Sequence, residues 1–177
     1  MDPRRFASRL AIAMIFASAA SRLIPHPWNF TPLIAMSLFG GAKLEKPWWA
    51  VAATLASLAL GDLALGLFPY EGMAWVYGTS VLIVLTGTLL KRRHEVLATL
   101  SATLGSGLLF FGVTNFGVWA AGRLYPSTLA GLVTCYVAGL PFYRNQLLGD
   151  LVYTGALFGL YWFAIAAYAR YRVQPTH

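Results

Sequence analysis

Apolar residues in this chain run in blocks rather than alternating with polar ones. Seven blocks stand out: Phe6–Ile24, Phe30–Ala42, Trp48–Phe68, Met73–Leu90, Val96–Ala121, Thr128–Leu140 and Leu147–Ala169. A helix needs roughly 20 residues to cross the hydrocarbon core of a bilayer. Phe30–Ala42 and Thr128–Leu140 are too short by that measure; the other blocks are long enough. The pattern therefore predicts an all-α, polytopic membrane protein, a single transmembrane domain over residues 1–177. Its polar connections are too short to build a domain outside the membrane.

The basic residues decide which short block crosses. If Phe30–Ala42 crosses and Thr128–Leu140 does not, six spans result with both termini on the same side. Arg4, Arg5, Arg9, Lys43, Lys46, Lys91, Arg92, Arg93, Arg170 and Arg172 then fall on the side of the termini, and only Arg22, Arg123 and Arg144 on the other. Five spans reverse the bias. Lys and Arg concentrate on the cytoplasmic side, so six spans with cytoplasmic termini are expected. Thr128–Leu140 becomes a short outer-side helix that stops at Pro141. The N-terminal stretch MDPRRFASRLAIAMIFASAASRL imitates a signal peptide. It reads as a retained first helix, because Arg22-Leu23-Ile24-Pro25 follows and further spans come after it.

Composition agrees. Of 177 residues, 58% are apolar and 11% charged, against about 25% charged in soluble domains. The net charge of +7 is the loop bias just described, not a nucleic-acid surface. One cysteine, Cys135, excludes an intramolecular disulfide. The three histidines, His26, His94 and His177, have no i, i+4 pairing. The chain also lacks a phosphate-binding loop and a Gly-x-Ser-x-Gly elbow. No metal, no cofactor and no catalytic set is expected.

Asp62 and Asp150 are the acids inside spans, where charge is costly and faces a cavity or a partner. Counting along the predicted helices puts both in the outer half. Asn115 lies in the outer part of the fifth span. Arg22, His26 and Asn29 close the first helix, and Arg144, Asn145 and Gln146 open the last. This ring of polar groups, with Trp28, Tyr70, Trp75, Tyr77, Trp119, Tyr125 and Tyr143 as walls, predicts an outward-facing pocket for a small molecule. The alternative is that Arg22 and Arg144 neutralise Asp62 and Asp150 in pairs that only set helix register. The stretch from Arg22 to Pro32 carries three prolines, which stiffen a loop presenting His26 and Asn29. Ala13 and Ala17 lie on one face of the first helix. Such small residues let helix backbones approach closely, either inside the monomer or against another subunit.

SRLIPHPWNFTPLIAMSLFGGA and LPFYRNQLLGDLVYTGALFGLY resemble an uncharacterised bacterial family of small membrane proteins assigned to transport. In architecture the chain is similar to the substrate-binding S components of energy-coupling-factor vitamin transporters. That resemblance implies an S-component-like bundle, a water-soluble vitamin as ligand, and a transmembrane coupling subunit with ATPases docked on an Ala-x-x-x-Ala motif, here Ala13 and Ala17. The expected function is a transport protein of the bacterial inner membrane that binds a small nutrient. Its ligand set would be Arg22, His26, Trp28, Asn29, Asp62, Asn115, Arg144, Asn145 and Asp150. Two rivals remain: a proton-coupled carrier in which Asp62 or Asp150 titrates, and a non-catalytic accessory subunit of a membrane complex.

Overall fold

A computed structural model describes residues 2–92 and 95–173; of Arg92, Arg172 and Val173 it describes the backbone. Arg93, counted above among the cytoplasmic charges, and His94 and His177 lie outside the described residues. Six α-helices are present among the described residues: α1 (Pro3–Ala20), α2 (Leu33–Lys43), α3 (Pro47–Ala64), α4 (Met73–Thr88), α5 (Val96–Ala120) and α6 (Leu129–Val173). Single turns of 3-10 helix follow α1 and α4. Local chemistry marks the starts. Asp2 caps α1 by accepting the Arg4 N–H at 3.1 Å, and Pro3 and Pro47 occupy first turns, where a missing N–H is harmless.

Four of the helices, α1, α4, α5 and α6, are long and apolar enough to cross a membrane. The protein is all-helical and has the build of a membrane protein. Many large apolar side chains point outward, Trp48, Trp49 and Trp162 among them. A surface of that kind suits lipid rather than water.

α2 is the centre of the bundle. It contacts each of the other five helices, and every residue from Leu33 to Ala42 is buried. Its crossing with α4 is a backbone-to-backbone approach. A Cβ on Gly41 would collide with the Val84 carbonyl, and one on Gly87 with the Leu38 carbonyl. Small residues at such a crossing replace side-chain packing with direct helix contact. At 11 residues α2 is only about 16 Å long, short of a bilayer core. The segment 24–32 that leads into it is non-helical, with a turn at Trp28 and Asn29. Phe30 and Thr31 of that segment lie against Gly149 of α6, where a Cβ would stand 3.1 Å from the Thr31 nitrogen.

The short outer helix ending at Pro141 is not found. α6 runs without interruption for 45 residues, with Pro141 inside it. Proline removes one hydrogen bond of the helix, and neighbouring groups make this tolerable in a membrane bundle. Here α5 holds α6 on both sides of the proline. Before it, the Tyr136 hydroxyl donates to the Gly112 carbonyl at 2.7 Å. After it, Gln146 Nε2 donates to the Gly107 carbonyl at 3.0 Å. Residues 129–140 are therefore the first part of the last long helix, packed beside α5. Arg144, Asn145 and Gln146 lie within that helix rather than opening it.

Candidate functional site

Two polar centres form, at different depths. The first joins α1, α3 and α4. Arg22, in the 3-10 turn after α1, donates through Nη2 to Asp62 Oδ1 at 2.6 Å, with side chains 12% and 2% exposed. The Tyr77 hydroxyl donates to the other carboxylate oxygen at 2.9 Å. Gly61 leaves room for the guanidinium: its absent Cβ would stand 3.0 Å from Arg22 Nη1, which is buried without a hydrogen-bond partner. Tyr70, in the α3–α4 connection, feels the same centre. Its phenol is pushed up to about 12 by burial and then by the Asp62 charge, with Arg22 pulling the other way. Arg22 and Asp62 thus form the ion pair weighed above for Asp62.

The second centre is a seam between α5 and α6. Gly107 is the twelfth residue of α5, about 20 Å from its C-terminal end at Ala120. A Cβ there would stand 3.0 Å from Asp150 Oδ2. Asp150 is thus level with the middle of α5 and not near the start of its own helix, because α6 starts well before the expected last span. Gln146 Nε2 reaches Asp150 Oδ2 at 3.4 Å, and Thr103 Oγ1 meets Thr154 Oγ1 at 3.4 Å. Asp150 forms no ion pair among the described residues, and Arg144 is exposed. The Arg144–Asp150 pair weighed above as an alternative is absent there. Asp62 and Asp150 share no hydrogen-bond partner among the described residues.

Above the seam lies a crevice of about 170 Å³, lined by Asn29, Asn115, Gln146, Phe110, Phe111 and Phe142. Asn29 reaches it from the 24–32 segment in a left-handed conformation, φ 61°, which asparagine tolerates better than most residues. Asn115 sits against Gly139 of α6, where a Cβ would be 2.6 Å from its Oδ1. A larger hollow of about 460 Å³ adjoins at Val118, with Glu71, Trp75 and Arg123 on its walls. Glu71 and Arg123 pair at 3.1 Å in an exposed position.

Of the residues expected to line one pocket, Asn29 and Asn115 come together. Arg22 and Asp62 form their own pair, and Asp150 lies below the crevice. Asn145 is half-buried. His26 is exposed, its Nδ1 2.6 Å from the Ile24 carbonyl, and Trp28 is 80% exposed. Among the aromatic walls, Tyr77 serves Asp62, Trp119 donates to the Pro126 carbonyl, and Tyr143 packs on Phe111. Gln146, expected in the polar ring but not in the ligand set, joins Asn29 and Asn115 in the crevice; Thr103, Thr154 and Gly107 were missed. The spacing of 146, 150 and 154 on one helical face was the available signal. No three His, Cys, Asp or Glu side chains gather in a metal-binding group among the described residues.

A family model matches residues 4–174, almost the whole chain. The chain belongs to DUF6580, a family of unknown function. No curated protein and no solved structure matches it. Membership of DUF6580 therefore adds no substrate, and the functional reading of this member rests on its own geometry.

Proposed function

We propose that this protein is a membrane transport protein that binds a small, vitamin-like nutrient in the outward-facing crevice between α5, α6 and the 24–32 segment. The observation that carries the reading is non-helical backbone packed against the middle of α6. Non-helical chain inside a membrane is tolerated where protein buries it or where it lines a water-filled cavity. The 24–32 segment reaches Gly149, next to Asp150 near mid-span, and its Asn29 meets the amides of Asn115 and Gln146 around a hollow. Three aromatic rings and three amides are the mixture expected of a small-molecule site. The adjoining hollow brings the space into the range of such sites, roughly 300–1,000 Å³.

On this reading all six helices cross, in an S-component-like bundle of the bacterial inner membrane with both termini cytoplasmic. The distribution of ten basic residues inside and three outside supports that orientation. Arg22 and Asp62 fix α1 against α3. Ala13 and Ala17 are exposed on α1, available to a transmembrane coupling subunit with its ATPases rather than used inside the monomer.

Mass spectrometry of ligand released from the purified protein tests the reading. A small molecule should be recovered from the native chain and lost from Asn115→Leu, since losing one amide contact weakens binding by about 1–3 kcal/mol. Equal recovery from both, or a stably bound protein in place of a small molecule, would sink it.

A further inference from the structure

Asp150 lies where the solute crevice does not need it. Gln146, Asp150 and Thr154 recur every four residues and share one face of α6. Gln146 lines the outer crevice. Thr154 lines a different hollow of about 500 Å³, with Lys43, Thr99, Leu151, Phe158 and Trp162. Lys43 ends α2 and Val96, also on its wall, begins α5, so this groove opens toward the opposite end of the bundle. Asp150 is 1% exposed and sits between the two hollows. The helical rise from Gln146 to Thr154 is about 12 Å, so the barrier is about two turns thick.

An ionised carboxylate inside a membrane needs a counter-charge or a set of hydrogen-bond donors. Asp62 has Arg22 and Tyr77. Asp150 has Gln146 at 3.4 Å and no ion pair among the described residues. Around it α5 offers Thr103, Ser106 and Gly107, and the 24–32 segment offers Phe30 and Thr31 beside Gly149. α2, which also packs on α6, brings one charge, Lys43, whose Nζ stands over the Phe158 and Tyr161 rings further along α6 and makes no ion pair with Asp150 among the described residues. On α6 itself, Tyr153 is engaged with Ser21 at 3.0 Å. Ser106 Oγ, next to Gly107 and 2% exposed, has no hydrogen-bond partner.

We infer that Asp150 is a proton-binding site at the barrier between the outer crevice and the inner groove, and that its protonation decides which of the two is open. With the proton on Oδ1, the group is neutral and Oδ2 takes the Gln146 N–H. Gly107 then lies flat against it and the seam is shut. When the O–H bond breaks and the proton passes to water in a hollow, the anion demands donors. The hydroxyls of Thr103, Ser106 and Thr154 and entering water supply them, and α5 parts from α6 at Gly107. The inference rests on the reading of the crevice as a transport site and takes its proton-coupled form, the rival weighed above to coupling by ATPases.

Infrared difference spectroscopy of the full chain in lipid vesicles, titrated from acidic to alkaline pH, tests it. The native protein should show the carbonyl stretch of a buried protonated carboxyl, and the band should fade as pH rises. Asp62→Asn should keep the band and Asp150→Asn should lose it. Gln146→Leu should retain the acid but shift the band, because the hydrogen bond to Oδ2 is gone. In a Cys135→Ser background, cysteines at 115 and 99 should change their reactivity in opposite directions with pH, and Asp150→Asn should abolish the change. A native chain with no such band at any pH overturns the inference, as does a band that survives Asp150→Asn. Those results leave ligand recovery untouched, so proton coupling and solute binding fail separately.

Discussion

Removing Arg22 should be far more damaging than removing the whole Arg22–Asp62 pair. In Arg22→Met the Asp62 carboxylate, 2% exposed, keeps only the Tyr77 hydroxyl at 2.9 Å. Breaking one side of a buried pair costs about 3–5 kcal/mol, since the remaining charge is stranded. Arg22 is itself 12% exposed, so some water reaches the gap and the lower end, about 3 kcal/mol, is expected. A chain of this size shifts its melting temperature by roughly 2–4 °C per kcal/mol. Arg22→Met should therefore melt on the order of 6–12 °C earlier in detergent. The double variant Arg22→Met, Asp62→Leu removes both charges and should recover most of that loss, because apolar replacement of a buried pair is often neutral. Circular dichroism melts of the three proteins decide the matter. If Arg22→Met melts with the native chain, or if the double variant is as unstable as the single, the pair does not hold α1 to α3.

The α2–α4 crossing gives a second case: Gly41→Ala or Gly87→Ala drives a Cβ into backbone, and each should lower stability by about 1–3 kcal/mol or more in the same melts. Ala13→Leu with Ala17→Leu changes exposed positions, so stability should hold within about 0.5 kcal/mol. A co-purifying membrane subunit should be lost, and unchanged co-purification would show that this face is not a docking surface. For topology, with Cys135 replaced by serine, an impermeant thiol reagent added outside intact cells should label a cysteine at position 71 and miss one at 46; the reverse would invert the bundle. Tyr70, pushed up to about 12, should ionise at lower pH in Asp62→Asn, since the carboxylate charge is one of the two influences raising it. Ultraviolet titration against a Tyr70→Phe control checks this.

What the sequence settled was everything that block length and local chemistry decide. The five long apolar runs became α1, α3, α4, α5 and the later part of α6, Asp2 and the first-turn prolines marked helix starts, and the prolines after Arg22 kept residues 24–32 out of a helix. Burial of apolar surface makes those choices within a single segment. The pairing of Arg22 with Asp62 was one of two alternatives open at that level, and it took three-dimensional proximity across 40 positions to choose it. Pro141 was misjudged for the same reason. Taken alone it ends a helix, but contacts from α5 on both sides of it carry α6 through. That continuity moved Asp150 away from the start of its helix to the level of Gly107 in the middle of α5, and placed Gln146 and Thr154 on hollows at opposite ends of one seam. Polar residues in a membrane are positioned by the partner that satisfies them. Those partners lie on other helices, so only the packed bundle could name them.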